Sequence, residues 1–396
     1  MQRNVLHLIG SFDQGGSERQ AIQLVRLLHE SGRYVIHVAC LESGGILQKE
    51  IESFFHRPIP EYALHSFYDF HLVKQIVRFA SYLRRHSIAV VQTHDFYTNV
   101  FGMAGAALAR VPVRIAARRE TGGIRTNRQL VVERCAFRLA DAVVANSSIV
   151  QSQLITEGVD AQKAITIHNG VDLDRFCFQT VERQRLFPLL GLPGELDCLI
   201  TIVANLRFAV KDHPTFLRAA AIVHERHPRA AFVIAGEGEL LDSMAAFAEE
   251  LGIAEVVHFI GQCQRVPELL SISDVCVLSS TAEGLSNAIL EYMAAGRPVV
   301  ATAVGGAAES VAEGESGFLV KPGDYVQLAD KIVTLLSDPD LAGRLGKRGR
   351  QIVEERFSTT AQLRHTEIMY SELLKAKGLV GAGAASKIPQ GGLTSE

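Results

Sequence analysis

Two carboxylates eight residues apart, Glu283 and Glu291, flank the stretch Gly284-Leu285-Ser286-Asn287, whose small and polar residues suit the start of a helix. A helix start aims unsatisfied N–H groups and the positive end of the helix dipole outward, where a phosphate would be held. The acids must then serve something else. Carboxylates accept hydrogen bonds from hydroxyls, so this arrangement points to a ligand with sugar rings on either side of a diphosphate. A first-turn Glu could serve the dipole alone, worth about 0.3–1 kcal/mol. That reading leaves Glu283, which precedes the cap and abuts Gly284, without a purpose.

Other chemistry-bearing groups sit at the ends of strand-like runs. Arg207 and Lys211 follow such a run in Asn205-Leu206-Arg207-Phe208-Ala209-Val210-Lys211. An Arg engages phosphate oxygens bidentately and a Lys adds a point charge, so the pair suits a diphosphate, with a surface salt bridge as the plainer reading of either alone. Glu237 lies between two glycines in Ala235-Gly236-Glu237-Gly238-Glu239, which leave room for a ligand or for a tight turn. Gly15 and Gly16 open the first helical stretch and let a ligand approach the backbone, although a simple turn explains a Gly-Gly pair as well. They do not form G-x-G-x-x-G, so the dinucleotide fingerprint is missing where a nicotinamide enzyme would carry it. His94 and Asp95 close another strand and can meet a sugar hydroxyl or a proton in transit, or merely cap a helix. Asp172-Leu173-Asp174 matches D-x-D, a pattern common by chance, and reads as a capped turn. No acidic cluster is dense enough for Mg²⁺, so no metal or other cofactor is expected, and leaving-group charge falls to Arg, Lys and helix N-termini.

These residues need elements to hold them. Six β-rich runs (5–9, 35–40, 90–93, 114–117, 142–146 and 165–168) alternate with helical patterns such as 19–29 and 71–86. The segment 178–197, with two prolines and two glycines, breaks the rhythm. It then restarts with runs at 199–204, 231–235, 256–260, 275–278, 299–302 and 318–320. Strand and helix in repetition mean parallel sheets covered on both faces, and 396 residues are too many for one ordinary core. The expectation is an α/β chain of two facing, doubly wound Rossmann-like domains with an interdomain cleft: 1–177, a linker over 178–197, and 198–355. A helical segment over 356–378 returns to the first domain, and a mobile Gly/Ala-rich tail fills 379–396.

Composition, with 47% hydrophobic and 21% charged residues, excludes a disordered chain. No run of about 18 apolar residues spans a membrane, and the start, Met1-Gln2-Arg3-Asn4 leading straight into a strand, lacks the pattern of a signal peptide, so a cytoplasmic location is expected. The six scattered cysteines form no C-x-x-C pair and read as buried reduced thiols. Residues 1–180 carry 20 Lys/Arg against 16 Asp/Glu and the remainder 20 against 27, so the halves differ in sign and face different partners. Eight arginines crowd the Arg-rich 110–138 region, a surface suited to an anionic acceptor or the inner membrane face, with Lys74, Arg78 and Arg85 adding to it. No feature calls for a nucleic acid.

Together these motifs resemble the retaining glycosyltransferases of family 4, which have the GT-B architecture. The resemblance runs from the first strand to about Lys377. It rests on Glu283 and Glu291 as an E-x7-E pair, Ala294–Thr302, Val304-Gly305-Gly306 with Glu309, Arg207 with Lys211, Gly15-Gly16, and Asn169-Gly170-Val171-Asp172. It implies that Glu291 binds the ribose hydroxyls of a nucleotide sugar, that Glu283 contacts the transferred sugar near its reacting carbon, and that the Leu285–Asn287 backbone meets sugar or phosphate. His94 resembles a histidine that touches the sugar. Two departures bear on donor preference: Asp212 stands where Gly is usual, and Ser286-Asn287 replaces a Pro-containing version. The implied function is a retaining, metal-independent hexosyltransferase. It would move a sugar from a UDP-type nucleotide sugar donor to a glycan or lipid-linked acceptor in bacterial surface polysaccharide synthesis, working as a cytoplasmic or peripheral membrane enzyme. A nucleotide-sugar epimerase of similar form and a non-catalytic two-lobed binding protein are the alternatives.

Overall fold

The computed structural model describes residues 2–13, 15–64, 70–121, 125–177, 183–193 and 196–379. The chain divides into two compact units, one made of residues up to Gly170 together with those from Thr359 on, the other of Val171–Ser358. Each is built on a six-stranded, wholly parallel sheet.

In the first unit the strands are β1 (Arg3–Ile9), β2 (Tyr34–Cys40), β3 (Val90–Thr93), β4 (Val113–Arg118), β5 (Ala142–Ala145) and β6 (Ala164–Thr166), in the order β2-β1-β3-β4-β5-β6. Helices α1 (Gly16–Glu30), α2 (Gln48–Glu52), α3 (Phe70–Arg85), α4 (Phe96–Ala109), α5 (Asn127–Leu139) and α6 (Ser148–Thr156) make the crossovers. A parallel sheet hides both faces, which is why β3 and β5 are buried at every position. One core, with Ile22 and Val25 of α1, packs on one face, and a second, with Phe79, Phe101 and Phe137 of α3, α4 and α5, packs on the other. Asp95 and Thr126 start α4 and α5 with reciprocal capping boxes.

The second unit contains α7 (Arg183–Leu186), β7 (Cys198–Val203), α8 (His213–Arg226), β8 (Ala230–Ala235), α9 (Leu241–Glu250), β9 (Val257–Phe259), α10 (Val266–Ile272), β10 (Val275–Leu278), α11 (Asn287–Ala294), β11 (Val299–Thr302), α12 (Ala307–Ser310), β12 (Gly317–Val320), α13 (Tyr325–Ser337) and α14 (Pro339–Arg356). Its sheet runs β12-β11-β10-β7-β8-β9. All twelve runs read as strands are strands, with ends shifted by one or two residues.

The domain limits differ from the sequence expectation. The first crossing between units is Gly170–Val171 and not a linker over 178–197. Residues 178–182 and 194–195 lie outside the described residues, but Leu186, Phe187, Leu190 and Leu192 are buried against Leu199 and Val233 of the second unit. Apolar side chains between the prolines thus make a packed segment where punctuation alone implied a spacer. The closing helical pattern is two helices: α14 belongs to the second unit, and α15 (Thr359–Ala376) places Met369, Tyr370 and Leu374 in the core of the first. The tail beyond Leu379 lies outside the described residues.

Candidate functional site

In a doubly wound sheet, ligands sit beyond the carboxyl ends of the two strands where the order reverses. In the second unit these are β7 and β10, which pair directly. The loop after β7 carries Arg207 and Lys211, and the loop after β10 carries Glu283, so topology alone brings together residues about 72 positions apart. Lys211 Nζ lies 2.6 Å from Glu283 Oε1. The Ser280 hydroxyl donates to the same oxygen at 2.8 Å, an anchor that the sequence reading missed although Ser279-Ser280 directly follows the strand. The two loops are laced further: Thr281 N donates to Val210 O at 2.8 Å and Ser279 Oγ to Lys211 O at 2.9 Å. Lys211 and Glu283 side chains are 21% and 13% exposed, so the pair is largely desolvated yet reachable. Arg207 makes a separate, half-exposed ion pair with Glu237 at 2.7 Å across the β7 and β8 ends.

The Glu283 loop is fixed from below by backbone. Gly305 has φ +50°, and a Cβ there would stand 2.0 Å from Glu283 O. Gly306 N donates to Gly284 O at 2.5 Å, and Thr302 Oγ1 donates to Ser280 O at 2.6 Å. Leu285 drives its side chain into the core beside Ile289. Ser286 is the N-cap of α11, but its side chain does not cap it; its ψ of 120° turns the chain instead. Asn287 opens the helix, partly buried Glu291 lies in its second turn, and Gly296 closes it with φ +67°. Tyr292, fully buried, accepts from Val203 N at 2.7 Å and donates to Val277 O at 3.2 Å, pinning α11 to both switch-point strands. Asp212, at the position where the resemblance implies Gly, does adopt a left-handed conformation with φ 48°, ψ 51°, and its side chain caps α8 at Thr215 N.

The first unit's switch point lies between β1 and β3. Gly15 is the N-cap of α1 and Gly16 its first residue. His94, just beyond β3, is 2% exposed, and both ring nitrogens face protein. Arg119 Nη2 lies 3.4 Å from His94 Nδ1, His94 Nε2 lies 3.0 Å from His7 Nδ1, His7 Nε2 lies 3.3 Å from the Tyr370 hydroxyl, and that hydroxyl donates to Gln92 Oε1. A guanidinium can only donate, so Nδ1 of His94 accepts. Burial, followed for His94 by the neighbouring His7 and for both by Arg119, holds His94 well below the usual range and His7 at about 3, so both rings are neutral. The proton of His94 is therefore on Nε2, that of His7 on Nε2, and the chain of bonds runs one way. The contact of Arg119 with the Nδ1 lone pair, at 3.4 Å, is the longest in the chain. Ring ¹⁵N shifts should report neutral His94 with Nε2 protonated across neutral pH; an imidazolium or an Nδ1–H signature would refute the assignment.

Arg119 also donates to Asn169 Oδ1 at 3.0 Å; burial lowers its pKa to about 10, while Glu18, Glu120 and Asp95 draw it back up. Burial in turn holds Glu18 and Asp95 above the ordinary carboxylate range. The Arg-rich 110–138 surface is smaller than its count implied. Arg118 is 3% exposed and bound to Glu133 and Glu157, Arg125 is bound to Glu120 and Glu133, and Arg114 to Asp141, so with Arg119 four of the eight are committed internally. All six cysteines are free thiols, but only Cys40 and Cys276 are buried; Cys135 and Cys177 are exposed. Asp172 caps Asp174 N at 3.1 Å, as a turn residue does. Among the described residues, no three His, Cys, Asp or Glu side chains group to hold a metal, and no helix is long and apolar enough to cross a membrane.

Comparison with known proteins follows the same two halves. The family model of Glycosyltransferase Family 4 matches residues 14–175, and that of Glycosyl transferases group 1 matches residues 194–352. EpsD of Bacillus subtilis, assigned as a glycosyltransferase, is 36% identical over 203 residues, which are 51% of this chain and 52% of EpsD. The UDP-Gal:alpha-D-GlcNAc-diphosphoundecaprenol alpha-1,3-galactosyltransferase of Escherichia coli is 25% identical over 381 residues, 91% of this chain and 95% of that one. The chain spans only 52% to 62% of the length of three of the curated relatives it matches, EpsD among them. Anabaena HepE in complex with UDP and glucose has the same fold, with a TM-score of 0.83 at 22% identity over 94% of this chain and 100% of that one. The fold is thus the GT-B arrangement of two Rossmann-like domains, and the chain belongs to the group 1 and family 4 glycosyltransferases.

Proposed function

We propose that this protein transfers a sugar from a nucleoside diphosphate sugar, UDP-linked in the first instance, to a hydroxyl of a glycan or lipid-linked acceptor in surface polysaccharide synthesis, with retention of configuration. The observation that carries the reading is the Lys211–Glu283 pair at the second unit's switch point, with Arg207 and Glu237 at the neighbouring strand end. Breaking a glycosidic bond to a diphosphate builds negative charge on the departing oxygen and positive charge on the sugar ring. Lys211, Arg207 and the N-terminus of α11 face the first, without recourse to a metal, and the Glu283 carboxylate faces the second. Glu291, one turn further along α11, takes the ribose hydroxyls, with Gly284 to Asn287 lining the loop between. In the first unit Gly15 and Gly16 leave space for the ligand, and His94 takes a sugar hydroxyl at Nδ1 in place of its 3.4 Å contact with Arg119. The Escherichia coli relative, whose name gives UDP-Gal as donor and a lipid diphosphate as acceptor, and HepE with bound UDP support the choice of donor and acceptor. The work is placed on the cytoplasmic side, where nucleotide sugars are made.

A panel of nucleotide sugars tests this directly. At a hundredfold excess over Kd, the right donor stabilises the folded chain by about 2.7 kcal/mol through mass action, and raises the melting temperature by several degrees without any acceptor. If no UDP, GDP, ADP or dTDP sugar shifts the transition, the proposal fails.

A further inference from the structure

The sheet of the second unit is paired to its carboxyl edge on both sides of the switch point but not across it. Val203, the last residue of β7, pairs with Ala235 of β8, and β10 pairs with β11 through Leu278, its own last residue. Between β7 and β10 the pairing stops earlier, at Val275 with Ile200 and Cys276 with Thr201. Alternate residues of a strand send their backbone groups to opposite neighbours. Ala204 N bonds to Ala235 O and Cys276 N to Pro298 O, so Val203 and Val277 turn theirs toward the switch point, and the next rung of the ladder would run from Val203 N to Val277 O. The Tyr292 hydroxyl stands in that rung. It accepts from Val203 N at 2.7 Å and donates to Val277 O at 3.2 Å.

A buried tyrosine hydroxyl needs a partner, and a free backbone carbonyl ordinarily supplies it. Here the hydroxyl takes two backbone groups that face each other and would satisfy one another without it. Backbone pairing therefore gains nothing from the hydroxyl, and burying one carries a desolvation cost. What it adds is width, with two bonds of 2.7 and 3.2 Å in place of a single rung of about 2.9 Å. Burial first, and then Cys276, Glu291 and Glu283, hold the phenol well above its ordinary range, so the proton that bonds Val277 O stays in place. The loops that leave the two spread strands meet again beyond the gap, where Thr281 N donates to Val210 O at 2.8 Å and Lys211 Nζ lies 2.6 Å from Glu283 Oε1.

We propose that Tyr292 is a positioning residue for the donor site, its hydroxyl holding the ends of β7 and β10 apart and so setting where Lys211 and Glu283 stand relative to each other. The proposal rests on the reading of that pair as the place where the glycosidic bond to the diphosphate is broken. Because Tyr292 follows Glu291 in α11, one hydroxyl ties three parts to a single point: the Lys211 loop, the Glu283 loop and the helix. Phenylalanine in its place keeps the ring and removes only the spacer, which leaves Val203 N and Val277 O free to close the rung directly. A displacement of about 1 Å in groups that face developing charge costs up to about 10²-fold in rate.

Tyr292→Phe, followed by crystal structure and by steady-state kinetics well below its melting temperature, is the test. The variant should fold, with Val203 N and Val277 O in a direct bond and the Lys211–Glu283 contact displaced from its 2.6 Å. With the donor found by thermal shift, kcat should fall on the order of tenfold, while KM changes by less than about threefold. A hydroxyl with a merely structural part lowers only the melting temperature and leaves kcat of the folded enzyme unchanged. If the phenylalanine variant does not fold, Tyr292→Met, whose flexible chain fills the space without a hydroxyl, takes its place with the same expected outcomes. A folded variant with kcat within about threefold of wild type, or with the rung still open and both loops unmoved, overturns the proposal. If the wild type neither binds nor turns over any nucleotide sugar, it is the reading of the site as a sugar transferase that fails, and the structures of wild type and variant still decide whether the hydroxyl sets the two loops.

Discussion

Replacing Lys211 by alanine should lower kcat/KM by about 10²–10³-fold, the usual cost of removing one preorganised donor from developing negative charge. The fold should survive it. The pair is largely desolvated, so taking the ammonium from the Glu283 carboxylate costs about 1–3 kcal/mol. Glu283 is still held by Ser280 at 2.8 Å and the backbone lacing is intact, so the free protein folds with a lowered melting temperature. Stabilisation by the donor should shrink in parallel with activity, because the same ammonium meets the diphosphate in the bound state. Lys211→Arg should recover only part, since the guanidinium cannot take the 2.6 Å point contact made by Nζ. Steady-state kinetics with the donor identified by thermal shift provide the measurement. Transfer by Lys211→Ala within a factor of about three of wild type would remove Lys211 from the chemistry.

Gly305→Ala should be among the most damaging small substitutions in the second unit. The new methyl would lie 2.0 Å from Glu283 O and 2.6 Å from Gly284 O, with φ at +50° adding backbone strain. Neither neighbour is a flexible side-chain end. The two loops must part, breaking the 2.5 Å bond from Gly306 N to Gly284 O, and Glu283 moves with its backbone. A cost of about 2–4 kcal/mol is expected, with transfer falling below detection. Gly314 provides the comparison: its φ is +73°, yet a Cβ there meets nothing within 4 Å. Gly314→Ala should therefore lose only the left-handed penalty of about 1–2 kcal/mol and keep its activity. Equal losses of stability and activity in the two variants would mean that strain, and not contact with the Glu283 loop, explains Gly305.

The comparison of Gly305 with Gly314 also shows what sequence conveys and what it withholds. Parallel strands are short apolar runs, and all twelve were readable, because burial on both faces leaves no polar alternation to confuse. Once β7 and β10 are placed, the switch point puts Arg207, Lys211 and Glu283 at one edge, so the candidate site was legible as a set of strand ends. Its partners were not. That Glu283 takes Lys211 and Ser280, while Arg207 takes Glu237, depends on loop geometry that spacing does not encode. His7 reads as a polar interruption of an apolar strand, and its link to Tyr370, 363 residues away, has no local signal. The arginine-rich segment misled because a count cannot tell Arg118, spent on Glu133 and Glu157, from Arg128, left in water. Apolar residues in 186–192 likewise outweighed the prolines around them.

The placement of Tyr370 on α15 has a consequence for synthesis. The first unit's sheet leaves the ribosome early, but His7 and Gln92 at its centre wait for a hydroxyl on the last helix, and Met369 and Leu374 wait with it to close the core. Between Gly170 and Thr359 the whole second unit must be translated, an interval of roughly 10–40 s at about 5–20 residues per second. During that time the nascent N-terminal sheet exposes an apolar face and leaves His7 without the Tyr370 hydroxyl it faces in the finished fold. The second unit, continuous in sequence, has no such wait. Translation thus reverses the order of the chain: the unit begun first is completed last, and a stop codon a few dozen residues early would leave it permanently unsealed while its neighbour folds.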